Sequence, residues 1–242
     1  MGDGDWESQA GNWLRWARTP GHDAYWYYRD GFFDRIVPPP GDATLEIGCG
    51  EGRVARDLSA RGHRVVALDR APTLLDAARR ADPRGSYLVA DAAKLPFPER
   101  SFDVVVAYNA LMDTEDMPAA VREVGRVLRP GGTFCISVTH PVNDAGRFAD
   151  ASTFVIEHSY LDSRRFEGTF ERDGLVMTFF GWTHSVADYV DALEAAELRV
   201  TRLREPRPER ADEHYEPWHR VPMFLHLQAT KTSSQESRVK EA

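Results

Sequence analysis

The sequence predicts an α/β protein whose core is a largely parallel, doubly wound sheet, and three observations carry that expectation. From residue 43 to about residue 140, apolar strand-like runs alternate with helical segments, the pattern of a sheet whose strands are joined by crossover helices. Gly48, Gly50 and Gly52 stand directly after the first of those runs, where a backbone must turn sharply. The chain has 242 residues and is 42% hydrophobic, enough for one sheet wrapped by helices on both faces.

Taken in order, Trp6, Ala10, Trp13, Leu14 and Ala17 fall at i, i+4, i+7, i+8 and i+11. Tyr25, Tyr28, Phe32, Phe33 and Ile36 repeat that spacing after the Pro20-Gly21 break, so two amphipathic helices are expected. They hold four of the six tryptophans, and Pro38-Pro39-Pro40-Gly41 ends them. Residues 1–36 therefore read as an N-terminal helical cap and 41–231 as the main domain. Ala43 to Ile47, Arg64 to Leu68, Ser86 to Ala90, Phe102 to Tyr108 and Thr133 to Thr139 are the expected strands β1 to β5. Helices are expected to start near Arg53, Thr73 and Thr114. Ser185 to Glu197 is a further helix, opened by a Ser185/Asp188 capping box, and it leads into strands at Leu198 to Arg204 and Met223 to Ala229. Residues 141–184 fit no crossover helix; they read as an inserted β-hairpin around the Asp173-Gly174 turn, on the substrate side. The polar tail, 232–242, is expected to be disordered.

Composition narrows function. Acidic residues outnumber basic ones 38 to 30, a formal charge of -8, and no basic cluster with interleaved aromatics marks a nucleic-acid track. No apolar stretch approaches the roughly 20 residues of a membrane span, and the start lacks a signal peptide's features. A cytoplasmic protein with neither nucleic-acid nor membrane partners is expected; oligomeric state is not indicated. The only cysteines, Cys49 and Cys135, have no metal-ligand spacing, which argues against disulfide scaffolds and zinc folds.

The stretch Leu45-Glu46-Ile47-Gly48-Cys49-Gly50-Glu51-Gly52-Arg53 lets a backbone approach a ligand without side chains in the way. Asp69, 17 residues after Gly52, ends β2 and is followed by Arg70; an acid there can accept both hydroxyls of a ribose. Arg53 occupies the place of the third glycine of a dinucleotide fingerprint, and Glu51 would repel a pyrophosphate. A ligand with a ribose and no phosphate fits better than a nicotinamide or flavin cofactor.

These residues resemble motif I of the class I S-adenosylmethionine (SAM) dependent methyltransferases. Asp69 matches that family's acid after β2, Asp91-Ala92 its adenine-contacting pair after β3, Phe102-Asp103-Val104-Val105 its β4 motif and Leu128-Arg129-Pro130-Gly131-Gly132 its turn into β5. Later segments, Asp188 to Leu193, Glu205 to Pro208 and Val221 to Leu225, resemble a small-molecule branch. The resemblance implies a Rossmann-like, seven-stranded sheet with its last strand antiparallel, SAM as cofactor, and methyl transfer to a small-molecule acceptor whose reacting atom, oxygen, nitrogen, sulfur or carbon, stays open. A SAM-binding protein that uses the cofactor without transfer, and a protein or tRNA methyltransferase, are its alternatives. Glu46, Gly48, Cys49, Gly50, Asp69, Arg70, Asp91, Ala92 and the Asn109 carbonyl are the implied cofactor residues.

Beside that set, Arg15 can fork onto the methionyl carboxylate, and Trp16, Tyr25 and Tyr28 can close over a sulfonium and the acceptor. His140, directly after β5, and His184 are the candidate catalytic bases and acceptor contacts. Asp113 with Asn143 and Asp144 resembles the magnesium ligands of catechol methyltransferases, yet the local sequences do not otherwise match and no metal is expected.

Overall fold

In the computed structural model, which describes residues 6–232, β1 (Thr44–Ile47), β2 (Val65–Asp69), β3 (Ser86–Val89), β4 (Phe102–Tyr108) and β5 (Leu128–Thr139) form the expected parallel core. With β10 (Leu198–Arg204) and β11 (Phe224–Lys231) they make one seven-stranded sheet of order β10-β11-β5-β4-β1-β2-β3, in which β11 alone runs antiparallel to its neighbours. Alternation along β4 shows how the sequence builds two cores. Val105 and Ala107 face one layer, packed under α5 (Met117–Val127) and α7 (Val186–Ala195), while Val104, Val106 and Tyr108 face the other.

That other layer holds α3 (Arg53–Ala60), α4 (Pro72–Ala81) and also α2 (Tyr25–Arg35), whose Tyr25, Phe32, Phe33 and Ile36 are at most 4% exposed and pack on Val104, Val106, Tyr108 and Cys135. The residues expected to form a single cap thus divide. α2 is a layer of the domain, and only α1 (Trp6–Arg18) lies over α4, through Ala10 against Ala71 and Leu74.

Helix starts follow local chemistry. Ser185 Oγ accepts from the Asp188 N–H at 3.1 Å while Asp188 Oδ2 accepts from the Ser185 N–H at 2.7 Å, the reciprocal pair expected at α7. The helix expected near Thr114 starts later, at Met117, because Asp116 caps the Ala119 N–H and Pro118 fits the first turn; Leu111–Asp113 form a short 3-10 turn instead. The insertion holds a short helix α6 (Pro141–Asp144) and two hairpins, β6 (Gly146–Phe148) with β7 (Phe154–Ile156) and β8 (Arg164–Arg172) with β9 (Leu175–Thr183). The second turns at Asp173-Gly174, both with positive φ. The expected tail lies outside the described residues apart from Thr232. Among the described residues no helix is long and apolar enough to cross a membrane.

Candidate active site

The C-terminal ends of β1, β2, β4 and β5 converge where a doubly wound sheet binds ligands. Gly48, Gly50 and Gly52 have φ of +67°, +52° and +83°, left-handed values that side chains disfavour, so this turn requires glycine. A Cβ on Gly48 would come within 2.4 Å of Ala110 Cβ, and one on Gly50 within 3.4 Å of Trp13 Nε1. The loop is pinned to β2: the Gly50 N–H donates to Asp69 Oδ2 at 2.7 Å, the Ala71 N–H to Oδ1 at 2.9 Å, and the Cys49 N–H to the Leu68 carbonyl at 2.9 Å. Burial raises Asp69 above the usual carboxylate value against the lowering effect of these backbone donors.

Glu46, 2% exposed, leaves Oε2 buried and without a partner, and burial together with Asp69 pushes its carboxyl up to about 8. An orphaned carboxyl beside a glycine cradle suits a ligand that brings a positive charge and donors, as S-adenosylmethionine does with its sulfonium and ammonium. The residues present therefore fit that cofactor better than a pyrophosphate. Asp91 Oδ1 accepts from the Ala93 N–H at 2.9 Å, and Ala92 is half-buried against the core. Asn109 has a φ of +51°, and its Oδ1 accepts from Ser137 Oγ at 2.7 Å, which ties the side chain to β5. Arg70 is exposed.

Charge pairs close the N-terminal segment over this loop, a feature the sequence reading missed. Glu51, 2% exposed, pairs with Arg18 and Arg56, each at 2.9 Å. Asp23 pairs with Arg53 at 2.7 Å, and the Arg53 guanidinium lies over the rings of Tyr25 and Trp13 at 4.3 and 5.0 Å. Glu7 holds both the N–H and the hydroxyl of Thr73 at the start of α4. Oppositely charged residues flanking a glycine loop were the available signal; the pairing of Arg18 with Glu51 and of Asp23 with Arg53 across 30 residues or more was not.

The other expected residues have specific places. Arg15 is exposed and donates to Asn12 on its own helix at 2.6 Å, whereas Arg18 reaches the loop. Trp16 packs edge-on to Phe179 of β9 and to His22. The Tyr25 hydroxyl donates to Asp57, and Tyr28, fully buried, packs on Phe224 and Tyr215 away from the glycine loop. His140 caps α6: Nδ1 accepts from the Val142 N–H at 3.1 Å, which places the ring proton on Nε2, 3.0 Å from Glu205 Oε1. With both nitrogens engaged and burial lowering its pKa against the raising effect of Glu205, this imidazole has no free lone pair for proton abstraction. His184 Nδ1 lies 3.2 Å from Ser163 Oγ, and its Nε2 is buried without a partner. Among the described residues no group of three or more His, Cys, Asp or Glu side chains is arranged to hold a metal ion. A polar depression of about 250 Å³ lined by Glu99, Arg126, Glu197 and Lys231 lies at the opposite end of the strands, away from the glycine loop.

Comparison with known proteins agrees with this geometry. Residues 45–136 match the methyltransferase domain family. A malonyl-[acyl-carrier protein] O-methyltransferase of Serratia marcescens is 40% identical over 98 residues, 40% of this chain and 38% of that protein. A Mycolicibacterium smegmatis protein described as a "probable S-adenosylmethionine-dependent methyltransferase" is 34% identical over 147 residues, 59% of this chain and 57% of that one. The chain thus spans less than two thirds of the length of these curated relatives. The crystal structure of an S-adenosylmethionine dependent methyltransferase from Mesorhizobium loti superposes with a TM-score of 0.69 at 28% identity, covering 86% of this chain and 98% of that one. Strand order, glycine loop, acid after β2 and these likenesses agree: residues 45–136 are a methyltransferase domain, and the chain is similar in sequence and fold to S-adenosylmethionine-dependent methyltransferases.

Proposed function

We propose that the protein transfers a methyl group from S-adenosylmethionine to a small-molecule acceptor. When bound, the cofactor supplies a methyl carbon already activated by its sulfonium, so the chain's task is to hold, align and dehydrate. Gly48 to Gly52 let the backbone approach the ligand, Asp69 offers its remaining lone pairs to the ribose hydroxyls, and Asp91 with Ala92 borders the adenine. Glu46 and the Asn109 carbonyl provide acceptors for the methionyl ammonium. The observation that carries the reading is the enclosure: the Arg18–Glu51 and Asp23–Arg53 pairs hold α1 and its connection over the loop, and Trp16 meets Phe179 of the insertion. A lidded site favours a metabolite over a macromolecule and keeps water from the reacting atoms. The same reading puts the protein in the cytoplasm, without a nucleic-acid or membrane partner.

The test is calorimetric titration with S-adenosylhomocysteine, followed by incubation of a metabolite extract with cofactor carrying a deuterated methyl group. Binding that falls in Asp69→Ala by roughly 1.5–3 kcal/mol for each charge-assisted hydrogen bond lost, together with a labelled small molecule, is the expected result. Undiminished affinity in the variant would refute the ribose assignment, and label appearing only in protein or RNA would refute the acceptor class.

A further inference from the structure

Of the three tryptophans on α1, Trp13 is the one that meets the glycine loop. Its Nε1 lies 3.4 Å from the point where a Cβ on Gly50 would stand, so the indole borders the bare face that this glycine keeps open. The half-buried ring is held from several sides. Trp6 and Phe179 pack edge-on to it with centroids 5.6 and 6.2 Å away, and the Arg53 guanidinium lies 5.0 Å from its centroid. Among the described residues none accepts a hydrogen bond from Trp13 Nε1.

The other donors around the loop are engaged inside the protein. The Cys49, Gly50 and Gly52 N–H groups donate to the Leu68 carbonyl, to Asp69 Oδ2 and to the Cys49 carbonyl at 2.9, 2.7 and 2.9 Å. Arg18 and Arg56 pair with Glu51, Arg53 pairs with Asp23, and Arg15 donates to Asn12. Donor and acceptor chemistry then sorts the two ends of the ligand. The methionyl end of the cofactor carries an ammonium, which only donates, and a carboxylate, which only accepts. Glu46, with Oε2 unpartnered, suits the ammonium; an indole N–H only donates and cannot hold it.

We propose that Trp13 is a cofactor-binding residue whose indole N–H donates to the methionyl carboxylate of S-adenosylmethionine; the inference rests on the methyltransferase reading above. Trp13 thus takes the role that the sequence suggested for Arg15. Because its ring is already fixed by Trp6, Phe179 and Arg53, little side-chain freedom is lost when the carboxylate arrives. The same ring meets Phe179 of the insertion, so one side chain joins the cofactor's tail to the acceptor side of the lid.

Calorimetric titration with S-adenosylhomocysteine, its decarboxylated analogue and methylthioadenosine tests this, since the three share a nucleoside and the last two lack the carboxylate alone or the whole methionyl end. Trp13→Phe deletes the N–H and keeps an aromatic ring. It is expected to weaken S-adenosylhomocysteine by roughly tenfold or more, the scale of one hydrogen bond to a charged group, and to leave the other two ligands within about threefold of wild type. Equal weakening of all three ligands, or unchanged binding of S-adenosylhomocysteine, overturns the assignment. Should the variant not fold, wild-type protein isotope-labelled on its indole nitrogens decides: one indole N–H resonance is expected to move downfield with S-adenosylhomocysteine and to stay in place with the decarboxylated analogue. The same shift with both ligands, or no shift with either, overturns the assignment. Failure of S-adenosylhomocysteine to bind the wild type overturns the methyltransferase reading itself.

Discussion

Gly48→Ala separates two costs that a glycine loop combines, because Gly131 offers a matched control. Both residues are left-handed, with φ of +67° and +78°, but a Cβ on Gly48 would lie 2.4 Å from Ala110 Cβ, whereas one on Gly131 would meet nothing within 4 Å. Gly131→Ala should therefore carry only the conformational cost, about 1–2 kcal/mol. Gly48→Ala carries that and an overlap that must open by about 1 Å or more to reach ordinary carbon contact. Ala110 has no rotamer with which to yield, so overpacking adds about 1–3 kcal/mol, for a total of about 2–5 kcal/mol. Urea denaturation of both variants measures the difference, and calorimetry should show S-adenosylhomocysteine affinity falling in Gly48→Ala alone, because the moved segment leads from Asn109. Equal stability losses in the two variants, or unchanged cofactor affinity in Gly48→Ala, would refute the close-approach argument.

Removing residues 1–20 should leave a folded domain with weakened ligand binding, whereas removing 1–36 should abolish cooperative unfolding, since Phe32 and Ile36 are fully buried against β4 and β5; circular dichroism melts distinguish the two. Glu46 keeps its proton to about pH 8 when folded and releases it near 4.5 when unfolded, so between those values the unfolded state binds fewer protons. Stability of the cofactor-free protein should fall as pH rises through that window, by up to about 1.4 kcal/mol per unit, and Glu46→Gln should flatten the dependence; parallel Tm profiles from pH 5 to 8 would contradict the assignment. His140→Ala should cost about 0.5–2 kcal/mol of stability as a lost helix cap and leave the transfer rate of the folded variant close to wild type; a rate loss of about a hundredfold with stability unchanged would restore it as a base.

The parallel core was legible because its signals are local: apolar runs of strand length, a glycine triplet at the end of β1 and an acid at the end of β2 lie within short windows of sequence. α2 shows the limit of periodicity. The spacing of Tyr25, Phe32 and Ile36 announced a buried face, but whether that face meets a ligand or the sheet depends on β4, whose partner residues lie some 70 positions away. His140 was correctly placed at a strand end, yet its role turned on a ring nitrogen meeting the Val142 N–H and on Glu205, a tertiary neighbour. Asp113 and Asp144 were seen as a pair because both follow central strands. Their approach to Gly181 and Tyr189 needed the insertion and α7 in place.

The edge-on contact of Trp16 with Phe179 joins positions about 160 residues apart, and this separation governs how the protein is made as well as how it is closed. During synthesis the tryptophans of α1 precede β9 and lack their contacts with Phe179 until β9 has left the ribosome. The glycine loop and Asp69, by contrast, need only residues 44 to 71 to find each other. A nascent chain can thus assemble its glycine turn long before it owns a lid, and in that interval the face of α1 that meets Phe179 stays uncovered. Fragments ending before Leu175 should be the aggregation-prone species, and chaperone dependence should track the appearance of β9 rather than completion of the central strands.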